Sequence, residues 1–159
     1  MNITVLCVGK IKEKYFTDAI NEYSKRLSGF CKLQIVEVDD EKTPQNSSEA
    51  LDNAIKDKEG ERLLKKIPNG SYVITLEIDG KKRDSVEFSK HIEKLCVNGN
   101  SNICFIIGGS LGLSDLIKNK SDESISFSDM TFPHQLMRVI LLEQIYRSFK
   151  IINNEPYHK

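Results

Sequence analysis

A chain of 159 residues, 39% hydrophobic and 29% charged, fits one domain and can bury about 70% of its unfolded surface around a single core. Its 23 basic residues balance 23 acidic ones, which argues against bulk electrostatic attraction to nucleic acid and leaves room only for a localised contact with an anion. No run approaches the roughly 20 apolar residues of a membrane span, and the apolar start lacks a basic leader and a small-residue cleavage site, so the expected location is the cytoplasm.

Short apolar runs alternate with longer helical patterns along the chain. A strand is expected at 3–8, a helix at 13–27, a strand at 33–38, a helix at 47–67 and a strand at 72–78. A helix at 85–97, a strand at 103–107, a short helix at 113–118 and a weaker strand at 124–127 follow. Asn69 with Gly70, Asp79 with Gly80, and Asn98, Gly99 and Asn100 punctuate them. This alternation predicts an α/β fold, a mostly parallel sheet with helices on both faces. The last helix is expected to start near Thr131 as N-cap, with Pro133 in its first turn, and to run to about Ile152. Its apolar face, including Leu136, Ile140, Leu141, Ile145 and Phe149, is wide enough to serve both a core and an interface between subunits.

The four cysteines, Cys7, Cys31, Cys96 and Cys104, sit in apolar runs without CxxC or Cys/His ligand spacing. They are expected to be reduced thiols rather than disulfides or metal ligands. Charge is unevenly spread. Between Glu37 and Arg62 nine acids face four bases, whereas from Thr131 to Lys159 four bases face two acids. Lys10, Lys12, Lys14, Lys25 and Arg26 also outnumber the acids near the start, so both chain ends are mildly basic.

Three loops are expected to converge at the carboxyl ends of the strands, where open α/β sheets bind ligands. They follow Leu76, begin at Gly108 and span 127–132. The cluster Gly108, Gly109, Ser110, Leu111, Gly112 permits close backbone approach, but it is neither a dinucleotide fingerprint nor a P-loop. Ser128, Asp129, Met130 and Thr131 offer backbone and hydroxyl groups to an adenine edge, and they equally suit a helix-capping loop. The chain closes on Glu155, Pro156, Tyr157, His158 and Lys159, a proline followed by a phenol, an imidazole and a cation. Imidazole is the side chain that ordinarily titrates near neutrality, so this end suits a substrate or a second subunit, or else packs on its own domain.

Several long runs carry a family resemblance. They are 105–112, Thr131 with Phe132, Pro133, His134, Gln135 and Leu136, then Glu143, Gln144, Ile145, Tyr146 and Arg147, and finally Glu155 through His158, with Val8, Gly9 and Lys10 near the start. In fixed order over essentially the whole chain, they resemble the bacterial ribosomal RNA large subunit methyltransferase H family. The resemblance implies a single SPOUT-class domain over 1–159, with a trefoil-knotted cofactor-binding part over about 70–159, and a homodimer. It implies S-adenosylmethionine as cofactor, no metal, and methylation at N3 of a pseudouridine in the helix 69 loop of 23S ribosomal RNA, on the assembled 70S ribosome. Cofactor contacts would fall on Leu76, Gly108, Phe127, Ser128, Asp129, Met130, Thr131 and Phe132.

Two positions depart from the family pattern, Phe127 where leucine is usual and Glu77 where aspartate is usual. For the chemistry, His158 is expected to act as base or to orient the nucleobase, Tyr157 to hold the RNA, and Arg147 and Lys159 to meet phosphates. His134 is expected to be a packed structural residue, His91 to be solvated, and Arg138 to pair with Glu143, another acid or a second subunit. Two rival readings are a ribosome-binding assembly factor that transfers no methyl group and a SPOUT methyltransferase acting on transfer RNA.

Overall fold

The computed structural model describes all 159 residues. Strands β1 (Asn2–Val8), β2 (Lys32–Val38), β3 (Tyr72–Lys82), β4 (Asn102–Ile107) and β5 (Glu123–Ser126) alternate with helices α1 (Lys14–Leu27), α2 (Glu49–Leu64), α3 (Ser85–Val97), α4 (Asp115–Lys120) and α5 (His134–Ile152). The strands form one sheet in the order β2-β1-β4-β3-β5, and every neighbouring pair is parallel. The expected α/β architecture is therefore present. No helix is long and apolar enough to cross a membrane.

The period-2 alternation of strand side chains sorts the core into two layers. Ile3, Val5 and Cys7 of β1 face one side with Ile103, Phe105 and Ile107 of β4, where α1, α3 and α5 supply Leu27, Phe88, Ile92, Leu141 and Ile145. Leu6 and Val8 face the other side with Cys104 and Ile106, where α2 and α4 supply Leu63 and Ile117. Strands covered on both faces read as continuous apolar runs, which is why β1 and β4 stand out in the sequence. Each fully buried Leu or Ile contributes about 1.5–3 kcal/mol. The cysteines are free, and burial pushes the Cys7 and Cys104 thiols up to about 12, which leaves them inert near neutrality.

Most boundaries move by one to three residues, as in α2 at Glu49–Leu64 against 47–67, and two shifts bear on the site. β3 does not stop near Ile78. Its pairing with β5 shifts register between Leu76 and Lys81, and Lys81 and Lys82 then pair with Ile125 and Ser126. Gly80 makes the crossing possible, because a Cβ there would overlap the backbone of Ile125. The last helix begins at His134 with Pro133 as N-cap and no side-chain cap, so Thr131 lies outside it. A residue before proline is biased away from helical backbone, which pushes the start past Phe132. Local chemistry sets the ends elsewhere: Ser48 accepts from Leu51 N at 3.2 Å, so α2 starts at Glu49, and Asp84 and Glu87 form a capping box at α3.

The connections determine where a crevice can open. From β1 the chain turns to α1, on the layer of α3 and α5, and goes on to β2 at the sheet edge. From β4 it turns to α4, on the opposite layer, and goes on to β5 at the other edge. β1 and β4 are neighbours, so the loops leaving them diverge. That is a topological switch point, the place where open α/β sheets admit ligands.

Candidate functional site

Two of the three loops expected to hold a cofactor leave the carboxyl ends of parallel strands: Gly108 follows β4 and 127–132 follows β5 directly. The loop expected after Leu76 is absent, because β3 continues to Lys82 and Leu76 lies within it, in register with Ile125 of β5. At Gly108 a Cβ would come 2.8 Å from the carbonyl carbon of Gly112, so the 108–112 loop folds tightly on itself. Gly112 N donates to Gly109 O at 3.1 Å, and Gly112 has φ +85°, a backbone that glycine adopts at no steric cost.

The 127–132 segment is held by its own polar groups. Ser126 Oγ donates to the Ser128 carbonyl at 3.1 Å, Met130 N donates to Ser128 Oγ at 2.9 Å, and Lys82 binds Asp129 at 2.6 Å. The Met130 side chain is left 74% exposed. Phe127 packs edge-on against Phe88 with centroids 6.0 Å apart. Phe127 and Phe132 line a cavity of about 360 Å³ together with Arg83, Ser85, Phe88 and Gln144, whereas Leu76 and Gly108 do not border it. Of the two unusual residues, Phe127 thus fills an aromatic contact. Glu77 turns to its own strand and α4, accepting from Thr75 Oγ1 at 2.6 Å and pairing with Lys118 at 3.3 Å.

The C-terminal residues fold back along α5. Tyr157 donates its hydroxyl to Glu143 Oε1 at 3.2 Å and stacks edge-on against Tyr146 at 5.0 Å. Burial, with the Glu143 carboxylate beside it, raises the Tyr157 phenol above its ordinary value. The Arg147 guanidinium lies 4.7 Å over the Tyr157 ring and donates to His158 Nδ1 at 3.3 Å. Lys150 pairs with Glu155. Tyr157, His158 and Arg147 are therefore brought together, with His158 and Lys159 at the surface. The named partners of the tail lie on α5 and not in the 127–132 segment. Arg147 is already bound to Glu143 at 2.7 Å, so any phosphate would share it with that carboxylate.

Three other residues have partners that their neighbours in sequence do not show. His91 is not solvated. It is bonded to Glu123, which also binds Arg83 at 2.9 Å, and the side chains of all three are less than one-fifth exposed. Arg138 is completely buried and pairs with Glu37, not Glu143, at 2.6 Å. Its other nitrogen donates to the carbonyls of Val8 and Gly9 at 3.0 and 2.5 Å. His134 is packed as expected, its Cε1 facing Gly9 and its Nδ1 buried without a partner. Burial, then the Arg138 cation, lowers its pKa and keeps the imidazole neutral.

Residues 1–158 match the family described as predicted SPOUT methyltransferase. Ribosomal RNA large subunit methyltransferase H of Clostridium botulinum strain Alaska E43 is 61% identical over 159 residues, covering 100% of both chains. The protein of the same name from Clostridioides difficile strain 630 is 59% identical over the same complete span. The chain belongs to the ribosomal RNA large subunit methyltransferase H family of SPOUT methyltransferases. A solved structure, a probable methylase family protein from Haemophilus influenzae Rd KW20, aligns with TM-score 0.50 at 14% identity, covering 96% of this chain and 66% of the other. That likeness concerns the fold alone.

One buried group of this SPOUT methyltransferase escaped the sequence reading. Glu59 is 4% exposed, with Oε1 accepting from Glu41 N at 3.0 Å and its carboxylate against Gly109, where a Cβ would come within 3.1 Å of it. It lies four residues from both Ile55 and Leu63 on the buried stripe of α2, and a carboxylate within an apolar stripe is the signal that could have found it. Desolvation by burial raises its pKa, partly offset by the Glu41 N–H. A carboxyl raised in the folded state contributes stability that is complete below its unfolded value, near 4.5, and is lost as pH rises through the folded one. Glu59→Gln, which can still accept from Glu41 N, is therefore expected to raise the urea midpoint at pH 7.5 and to lose that advantage near pH 4.5. An equal or lower midpoint at pH 7.5 would show that the carboxylate is compensated.

Proposed function

We propose that this protein transfers a methyl group from S-adenosylmethionine to N3 of a pseudouridine in the helix 69 loop of 23S ribosomal RNA, acting in the cytoplasm on the assembled 70S ribosome. The observation that carries the reading is the full-length match to ribosomal RNA methyltransferases of the H family. The two loops at the carboxyl ends of β4 and β5 support it. They fit an adenosyl group: a glycine loop with no side chain at its closest point, a run of backbone amides and carbonyls at 127–132, and three phenyl rings lining a cavity. On this reading Leu76, Gly108 and Phe127, Ser128, Asp129, Met130, Thr131 and Phe132 hold the cofactor, within a single SPOUT domain whose part from about residue 70 onward is threaded into a trefoil knot.

When bound, S-adenosylmethionine supplies a methyl carbon activated by a sulfonium. The chain's own residues then have two tasks, alignment and proton removal. Much of the rate in such a displacement comes from holding the nucleophile in line, and the imide N3 must lose its proton before it can attack. His158 is the group assigned to that proton or to the orientation of the base, with Tyr157 against the nucleobase and Arg147 and Lys159 toward phosphates. The tail folds along α5 of its own chain, with Tyr157 also beside Tyr23 of α1, and we further assign it to the cofactor site of a second subunit in a homodimer.

The deciding experiment incubates the protein and labelled S-adenosylmethionine with 70S ribosomes, free large subunits and transfer RNA in parallel, followed by mass mapping of the labelled RNA. Label at N3 of a helix 69 pseudouridine, strongest on 70S ribosomes, is expected. Label on transfer RNA would redirect the activity to that substrate. Ribosome binding without label would make the protein a non-catalytic assembly factor.

A further inference from the structure

The loop of residues 9–14 borders the switch point between β1 and β4 on the side opposite the glycine cluster. Gly9 leaves β1 with φ +83° and abuts His134, where a Cβ would come 3.1 Å from Cε1. Val8, the residue before it, lies equally close to the position of a Gly109 Cβ. The loop thus touches the start of α5, and the last strand residue before it touches the 108–112 loop. It carries Lys10, Lys12 and Lys14, all exposed, against a single acid, Glu13.

Unusually strong tethers hold this loop. The buried Arg138 guanidinium binds the Gly9 carbonyl and Glu37, Glu37 accepts from Ile11 N at 2.9 Å, and Gln135 Oε1 accepts from Lys12 N at 3.1 Å. Main chain at three of its residues is therefore fixed to β2 and to the first turn of α5, the helix that follows the 127–132 segment. An ordinary solvated lysine loop has no need of a fully buried guanidinium. Two of the lysines are matched at the surface, Lys10 with Asp39 at 3.3 Å and Lys14 with Asp18 at 2.6 Å. Lys12 pairs with no carboxylate.

We infer that the 9–14 loop is an RNA-phosphate contact, with Lys12 as its principal cation, held at a fixed distance from the cofactor segment by Arg138 and Gln135. The inference rests on the proposed RNA substrate and adds to it a surface far along the chain from Arg147 and Lys159. It also accounts for a chain with no net charge engaging a polyanion: a few positioned cations beside the site replace a broad basic field.

The test measures binding of the wild type, Lys12→Gln and Lys12→Arg to 70S ribosomes and to a protein-free helix 69 RNA across a range of salt concentrations. Lys12→Gln is expected to flatten the slope of log affinity against log salt by about 0.7–0.9, the contribution of one phosphate contact. The wild-type advantage then shrinks about five- to eightfold over a tenfold rise in salt. Lys12→Arg should keep the wild-type slope, and S-adenosylmethionine affinity and thermal midpoint should be the same for all three, since the side chain is exposed. A wild-type slope for Lys12→Gln would overturn the inference while leaving the methylation reading intact. An effect on 70S ribosomes but none on a protein-free RNA that the wild type binds would also overturn it, by placing the partner among ribosomal proteins. A wild type that does not bind 70S ribosomes would overturn both.

Discussion

Deletion of Tyr157, His158 and Lys159 is expected to reduce methyl transfer to ribosomes by roughly 10²–10⁴, the range associated with loss of a positioned proton-transfer group, while S-adenosylmethionine affinity changes less than about twofold. The structure supports a selective effect. The tail is fastened to the surface of α5 through Glu143, Tyr146 and Arg147, none of which belongs to the loops at the strand ends. The Lys150–Glu155 pair lies before the deleted residues and remains. His158→Asn narrows the cause. If the imidazole removes the N3 proton, kcat falls while KM changes little, and added free imidazole restores part of the loss. If the imidazole only steadies the nucleobase, KM rises and free imidazole restores nothing. Loss of cofactor binding together with activity would mean that the tail is a structural part of its own domain.

Arg138→Met is expected to cost about 3 kcal/mol, because removing one member of a buried ion pair strands the rest and typically costs about 3–5 kcal/mol. The low end applies because the Glu37 side chain keeps 34% exposure and can recover some solvation. Methionine fills much of the volume, so the loss reports mainly on Glu37 and on the carbonyls of Val8 and Gly9, left without their donor. With a denaturant slope of about 1–3 kcal/mol/M, the urea midpoint should fall by roughly 1–3 M. Arg138→Lys should recover only part of this, since an ammonium cannot span three acceptors as a planar fork does. A midpoint within about 0.3 M of wild type for Arg138→Met would show that the latch contributes little.

What the sequence revealed and what it concealed divide along the distance between partners. β1 and β4 were legible because burial on both faces leaves an uninterrupted apolar run. The loops after β4 and β5 followed from the parallel order alone, whereas the loop expected after Leu76 did not form. The end of β3 was misread because Asp79 and Gly80 have the composition of a turn, although here glycine admits the backbone of Ile125 rather than a reversal. His91 looked solvated because its neighbours are charged, and its partner Glu123 lies 32 residues away. Arg138 has an acid five residues on, Glu143, but its partner is 101 residues earlier. Local spacing shows which side chains can share a helix face, while a tertiary ion pair depends on which strands become neighbours.

The strand order carries a further consequence, for how the chain reaches this state. β1 emerges first from the ribosome, yet one of its two edges is covered only by β4, about 100 residues later, in the register that pairs Asn2 with Asn102. β3 likewise gains its outer neighbour only when β5 is complete. Contacts this distant in sequence must close long loops before any pairing energy returns, so folding is expected to be slow for the protein's size. Until β4 is available, β1 offers an apolar edge to other chains, and a partly synthesised molecule is more prone to aggregate than the finished one.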